Sequence, residues 1–256
     1  MERRLQNIYS GCNGSIDGTP LFNDFLLSLP DRECELLCPR LVFVPLRTHD
    51  VLNETGEPIK YGYFMNSGLA SILNVMEDGK SVEVGVAGRD GFVGMPLLVG
   101  FESSPSRVII QIEGSAFRVR ALALAELLHA CPVLETGLLR YGQLLGLQSA
   151  QLAACNRLHL VERRLARWLL MCRDRTGSDF VPLTQETLSN ILGTQRSSIT
   201  LAAGILQKEG AISYTPGHVK IINLNLLENA ACECYGALVQ QASRWNNESG
   251  LTRRAL

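Results

Sequence analysis

The stretch Leu183-Thr-Gln-Glu-Thr-Leu-Ser-Asn-Ile-Leu-Gly-Thr-Gln-Arg-Ser-Ser-Ile-Thr-Leu-Ala-Ala-Gly-Ile-Leu206 reads as two short helices joined at Gly193. Thr184 suits an N-cap, with its hydroxyl placed to accept a backbone N–H one turn on, and Gln185 and Glu186 suit the first turn. Leu188, Ile191 and Leu192 fall on one apolar face at helical spacing. Gly193 follows that face, where a left-handed residue turns the chain with least strain. Ser189 is a small residue where two such helices would cross. The second helix turns Ile199, Ala202, Ala203 and Leu206 inward and leaves Gln195, Arg196, Ser197, Ser198 and Thr200 at its free N-terminal end. Short polar side chains and one arginine at an open helix end are what meets base edges in a DNA major groove.

A hairpin pattern follows at once. Ile212-Ser-Tyr214 and Val219-Lys-Ile221 alternate around Thr215-Pro-Gly-His218, a run of residues that turns demand. Helix, turn, helix and a small hairpin make a winged helix, with Lys208 and His218 as expected contacts to DNA backbone. A plain pair of core helices explains the glycine turn but not the hairpin beside it.

Ahead of this segment, six arginines lie between Arg157 and Arg175 against Glu162 and Asp174. A helix over about Leu160 to Cys172 would turn Leu165, Trp168, Leu169 and Cys172 inward and most arginines outward, as a phosphate-facing strip or a solvated face. From Val133 to about Asn156 there is no proline, and Pro132 suits a first helical position. Leu138, Leu145 and Leu152 repeat every seven residues, with Tyr141, Gln148 and Cys155 between them. That stripe is expected to be the seam of a homodimer, which predicts a pseudo-palindromic double-stranded DNA site.

Upstream, the period changes from helix to strand. Short runs at Leu41–Val44, Tyr61–Met65, Leu69–Val75, Val82–Val86, Val108–Ile112 and Phe117–Val119 are separated by turn signals, including Asn66-Ser-Gly68 and Glu77-Asp-Gly-Lys80. Such strands point to a sandwich or barrel, with a jelly roll leading. Leu21 to Leu37 reads as one or two short helices, Ala121–Ala130 as another, and residues 1 to about 20 show little pattern. The expected fold is α+β. A β jelly-roll sensor domain over 21–131 precedes a dimerisation helix over 132–157, a winged helix-turn-helix over 158–225 and a tail over 226–256.

Charge is balanced, 24 Lys and Arg against 25 Asp and Glu, so no broad basic coat is present. No run of about 18 apolar residues suggests a membrane span, and the N-terminus lacks a signal-peptide core, so a cytoplasmic protein is expected. Eight cysteines are then expected as reduced thiols. Cys34 and Cys38 share a helix face and could join Cys12 and Cys131 around a metal, with small buried thiols as the default reading. Cys232-Glu-Cys234 and His159 read as packing residues. No metal site or cofactor is assigned, and no nucleophile–base set, Walker loop or metalloprotease motif points to an enzyme.

The order of β-rich domain, long helix and winged helix resembles the Crp/Fnr family of bacterial transcription regulators, over roughly residues 21 to 225. The likeness is strongest at Leu183–Leu206, in Gly193, Arg196 and the helix spacing. It implies that Arg196 reads a guanine through a bidentate fork, that Thr184 binds a backbone phosphate, that Leu158–Leu160 form a hinge, and that RNA polymerase is a further partner. Two departures matter. Ser197 stands where the family has an acidic residue after the arginine. Members that bind cyclic AMP carry a Gly-Glu pair for the ribose and an Arg-Ser or Arg-Thr pair for the phosphate, whereas here Met95 and Pro96 follow Gly94 and Val108 follows Arg107. The expected signal is therefore an unknown small molecule other than cyclic AMP, with Arg89, Arg107, Gln148 and Ser149 as its candidate contacts. The alternative is a cysteine-based redox or metal-responsive switch with DNA binding as output.

Overall fold

Two long strands organise the N-terminal half of the chain in the computed structural model, which describes residues 11–252. Ahead of them, a 3-10 turn at Gly11–Gly14 leads into a minimal hairpin, β1 (Ser15–Ile16) with β2 (Thr19–Pro20). The second half of the segment expected to lack structure is thus ordered, and its first ten residues lie outside the described ones. Asn23 caps α1 (Asp24–Ser28) by accepting the Leu26 N–H, and Pro30 separates α1 from α2 (Asp31–Leu37).

Six strands form one sheet: β3 (Val42–Leu46), β4 (Val51–Asn53), β5 (Tyr61–Val75), β6 (Ser81–Ala87), β7 (Phe92–Val93) and β8 (Arg107–Arg120). The order is β3-β8-β5-β6, with β4 on β8 and β7 on β5. The sequence places a turn at Asn66-Ser-Gly68, but β5 runs straight through it. The chain bulges there instead, its register against β8 shifting between Met65 and Ala70, and Gly68 adopts φ +79°. A Cβ at Gly68 would fall 2.5 Å from the Ile112 carbonyl oxygen, so glycine is required by close backbone approach rather than by chain reversal. The bulge divides the pairing. Residues 61–67 of β5 face 115–120 of β8, and 69–73 face 107–112, with β3 beside residues 114–118 of β8 and β4 beside 108–109. Met65, Val93, Val108, Ile110 and Ala116 fill the core of this sheet.

α3 (Ala121–Leu128) leads to α4 (Pro132–Leu158), with Pro132 at the first helical position. Buried Glu33 of α2 accepts the Val133 and Leu134 N–H groups, each at 2.9 Å, and so neutralises two orphan donors at the positive end of α4. The seam expected on α4 is corrected by burial. Leu138, Tyr141, Gln148 and Leu152 are only 0, 6, 4 and 3 % exposed within the single chain, and Leu145 is half-buried. A seven-residue repeat looks the same whether its partner is a second copy or the chain's own domain, and here the chain's own packing has taken it. The positions left exposed also repeat at heptad spacing: Leu139, Gln143, Gly146, Ala150, Ala153 and Arg157.

α5 (Val161–Thr176) ends at Gly177, φ +69°. Leu165, Trp168, Leu169 and Cys172 point inward as expected, but the arginines do not form an outer strip. Arg164 and Arg167 are 6 and 2 % exposed. The Arg164 guanidinium donates to the Leu192 carbonyl and Arg167 to the Met171 sulfur, while Arg173 pairs with Asp179 at 2.6 Å. Only Arg157 and Arg163 of the six are exposed. The long apolar stems of arginine let it sit within an apolar face, which a count of charges cannot reveal. β9 (Phe180–Val181), α6 (Gln185–Ile191), α7 (Arg196–Lys208), β10 (Ile212–Thr215) and β11 (His218–Ile221) follow, with a three-stranded sheet ordered β10-β11-β9. The segment read as a tail holds two helices, α8 (Leu224–Ala230) and α9 (Cys234–Thr252).

The chain divides into two compact units. One holds the residues up to Gln143 apart from Met76–Gly85, and that segment joins Leu144 onward in the other. No single helix among the described residues is long and apolar enough to cross a membrane.

Candidate nucleic-acid interface and sensor site

α6 and α7 are set by the local chemistry of the turn between them. The Thr184 hydroxyl caps α6 by accepting the Thr187 N–H at 3.1 Å. Gly193 takes φ +55°, and the Thr194 N–H returns to the Ser189 carbonyl at 2.9 Å, closing the helix end. Ile199, Ala202, Ala203 and Leu206 are buried. Gln195, Arg196, Ser197 and Thr200 are exposed at the start of α7, Lys208 is exposed at its end, and Ser198 is half-buried. Gln195 sits at the N-cap without its side chain taking up an amide, so the first N–H groups of α7 have no side-chain cap.

Arg196 is steered rather than loose. Its Nε donates to Gln185 Oε1 at 3.3 Å. Gln185 also hydrogen-bonds Tyr214 of the hairpin, whose phenol is raised by burial and partly lowered again by that bond and by Arg196. Gln185 therefore ties α6, α7 and the hairpin together around one guanidinium, a role its first-turn position alone does not reveal. Leu201 was also missed. It is 68 % exposed, one turn beyond Ser197 and next to Thr200, outside the buried stripe of α7. The hairpin pairs Thr215 with His218 across Pro216-Gly217, with Gly217 at φ +92°. His218 hydrogen-bonds the Thr215 hydroxyl, and its ring packs tilted against Phe180 with centroids 4.9 Å apart, so its side chain is held at the hairpin.

A Crp-like helix-turn-helix domain model matches residues 163–230, and a cyclic nucleotide-binding domain model matches residues 43–131. The chain belongs to the Crp/Fnr family. It is a DNA-binding transcription regulator with a sensor domain of the cyclic nucleotide-binding type. Similar solved structures include a putative Crp/Fnr regulator from Eubacterium rectale, at 14% identity and TM-score 0.62, covering 82% of this chain and 98% of that one. FixK2 from Bradyrhizobium japonicum aligns at 15% identity and TM-score 0.64, over 75% and 98% of the two chains. The c-di-GMP-responsive regulator CLP of Xanthomonas campestris aligns at 17% identity and TM-score 0.62, over 75% and 98%. At these identities the likeness is one of fold. No curated protein matches the chain by sequence.

As a Crp/Fnr sensor, this domain has its candidate ligand groups largely engaged elsewhere. The Arg107 Nε lies 3.0 and 2.9 Å from the two Glu54 carboxylate oxygens, which holds that carboxyl below its ordinary range. Gly88-Arg-Asp-Gly91 is a turn closed by the Gly91 N–H on the Gly88 carbonyl, with the Gly88 N–H taken by Asp90. Arg89 is exposed there, and its carbonyl accepts the Asp24 N–H. Asp24 is pushed up to about 6, chiefly by burial and then by Asp90, with Arg89 partly opposing. Two carboxylates beside the turn disfavour an anion. Gly94, at φ +120°, opens a 3-10 turn over Met95–Val99 in place of a ribose-binding carboxylate. In the other unit, the Ser149 hydroxyl donates to the Val84 carbonyl at 2.7 Å. Gln148 is buried, and its amide nitrogen has no hydrogen-bond partner among the described residues.

The cysteines depart from the expectation of separate reduced thiols. Cys12 and Cys34 are joined as a disulfide, and the Cys38 sulfur lies 3.2 Å from that of Cys12. Cys131 is buried and takes no part in that group. Cys155, read from the sequence as a seam position of α4, and His159, Cys232 and Cys234, read as packing residues, come together in a second group. Within it, Cys155 is pushed down to about 5, first by its hydrogen bond with Cys232, while the same bond pushes Cys232 up.

Proposed function

We propose that the chain is a homodimeric, sequence-specific regulator in which α7 reads base edges and the β-rich domain takes up a signal other than cyclic AMP. The observation that carries the DNA reading is the open N-terminal end of α7, with Arg196 held out by Gln185. Arg196 offers its guanidinium to a guanine. Gln195, Ser197 and Thr200 lie beside it for base or phosphate contact, and Leu201 presents an apolar surface suited to a thymine methyl. Thr184 keeps its hydroxyl near the surface at the start of α6 for a backbone phosphate, and Lys208 is a backbone contact of longer reach. Residues 21–131 serve as the sensor and 158–225 as the DNA-binding part, acting in the cytoplasm on transcription by RNA polymerase.

The dimer is assigned to the exposed face of α4, Leu139, Gln143, Gly146, Ala150 and Ala153, in place of the buried stripe. Small residues at Gly146, Ala150 and Ala153 let two helices approach closely, and nothing within 4 Å would meet a Cβ at Gly146. The lack of a ribose carboxylate after Gly94 and the capture of Arg107 by Glu54 support a signal other than cyclic AMP. In vitro selection from random duplex DNA tests the whole reading. The expected product is a two-fold symmetric site with half-site centres about 34 Å apart. Enrichment of asymmetric sequences, or of none, would overturn it.

A further inference from the structure

Ligating side chains gather where α4 ends and α9 begins. Cys155 lies in the last turn of α4, and the His159 N–H still bonds the Cys155 carbonyl at 3.1 Å, so both side chains share a helix face. Cys232 comes from the link between α8 and α9, and Cys234 is the first residue of α9. The three sulfurs and the imidazole nitrogen all lie within 4.8 Å of one another. The sulfurs of Cys155 and Cys232 are 3.5 Å apart, as are the Cys234 sulfur and His159 Nδ1. Around a tetrahedral zinc, bond lengths of about 2.3 Å to sulfur and about 2.0–2.1 Å to nitrogen give ligand–ligand edges of about 3.5–3.8 Å. Both 3.5 Å spacings lie close to those edges, and the remaining ligand atoms are within 4.8 Å of one another.

The surroundings are also those of a metal site. Cys155, Cys232 and Cys234 are fully or almost fully buried. His159 Nε2 lies 3.0 Å from Glu233 Oε1 and donates its proton to that carboxylate, which leaves the Nδ1 lone pair toward the sulfurs, the arrangement that orients a ligating histidine. Gln151 Nε2 donates to the Cys234 sulfur at 3.1 Å. The buried arginines Arg164 and Arg167 interact electrostatically with Cys155. A buried guanidinium needs a counter-charge, and zinc with three thiolates and a neutral imidazole carries a net charge of minus one.

We propose that Cys155, His159, Cys232 and Cys234 hold a structural zinc ion that clips the end of α4 to the start of α9. Three thiolates and an imidazole select zinc over the oxygen-seeking magnesium and calcium, and four protein ligands leave no open position for catalysis. On loading, hydrated zinc gives up its bound waters as three Zn–S bonds and one Zn–N bond form, and whatever protons the thiols still carry leave to solvent, with no change of oxidation state. The clip spans Leu158–Leu160, the segment the family resemblance makes a hinge, and it stands whether or not α7 reads DNA as proposed.

The test uses the full chain with Cys12, Cys34 and Cys38 changed to serine, so that the N-terminal thiols cannot contribute. Purified under reducing conditions, it should retain one zinc per chain, with X-ray absorption reporting three sulfurs and one nitrogen. Cobalt exchange into this triple variant should give the thiolate charge-transfer and tetrahedral d–d bands, and adding Cys155→Ser/Cys232→Ser should remove both the bands and the metal. Absence of bound zinc from the folded triple variant, an oxygen-rich shell, or a Cys155–Cys232 disulfide in the reduced preparation would each overturn the assignment. DNA affinity is measured separately, so failure of the metal site and failure of the regulator reading are distinguishable.

Discussion

Arg196 is the residue on which specificity should turn. Removing its guanidinium leaves a guanine edge without its bidentate partner, so Arg196→Ala should cost about 1–3 kcal/mol at the selected site and relax preference at one base pair per half-site. Binding measured at fixed salt against that site and its single-base variants checks this, and unchanged discrimination would remove Arg196 from the interface. Gln185→Ala should give a weaker form of the same phenotype, because it frees the guanidinium without deleting it. Asp24 carries a separate expectation. Its carboxyl is raised to about 6 from 3.8, so the folded chain binds more protons than the unfolded one between those values. Stability from this group therefore falls as pH rises from about 4 to 6 and is level above. Asp24→Asn should flatten that slope in denaturation curves recorded at pH 4, 5, 6 and 7, and an unchanged slope would show that Asp24 titrates normally. At this scale the sequence was legible where residue type and position act locally, as with Thr184 and Gly193. It read Gln185 only as a first-turn residue and Cys155, His159, Cys232 and Cys234 only as seam or packing residues, because what they do together depends on partners as far as 79 positions away.

Helices and strands were legible in kind more than in partnership. The winged helix appears as read, because each of its turns carries a residue chosen for that turn: Gly193 at φ +55° and Gly217 at φ +92°. Asn66-Ser-Gly68 carries the same signal and yet is a bulge, since the chemistry that permits reversal also permits close strand approach. Two-residue strands such as β7 and β9 are too short for any period to register. The α4 repeat gave the helix but not its partner. With the buried stripe already packed, a charge on the exposed stripe becomes the informative change. Ala150→Glu would place two carboxylates near the two-fold axis, where like charges repel and desolvation is costly. Equilibrium ultracentrifugation should show this variant as a monomer with DNA affinity at least tenfold weaker, its secondary structure unchanged because Ala150 is exposed. A fully dimeric Ala150→Glu would exclude this face of α4.

At the scale of the molecule, one chain joins a DNA-reading surface to a sensor domain, and the open question is what the sensor takes up. Family membership assigns the domain type, while the ligand depends on side chains that differ among members. Here the ribose position offers Met95 and Pro96, neither of which accepts a hydrogen bond from a 2′-hydroxyl through its side chain. Arg107, the nearest arginine to the phosphate position, already holds Glu54 through both carboxylate oxygens. Freeing it for a cyclic phosphate would break that pair. The Gly88–Gly91 turn cannot substitute, because Asp90 takes the Gly88 N–H and faces Asp24. Cyclic AMP at micromolar concentration should therefore leave the thermal midpoint and the DNA affinity of the full chain unchanged. A ligand present at 100 times its dissociation constant adds about 2.7 kcal/mol to the folded state, an effect of several degrees that a thermal shift resolves easily. Glu54→Gln sharpens the comparison by releasing Arg107 from its carboxylate. If the parent chain shifts upward with micromolar cyclic AMP and Arg107→Ala does not, Arg107 is a phosphate ligand after all, and the exchange of Glu54 for a nucleotide becomes the signal.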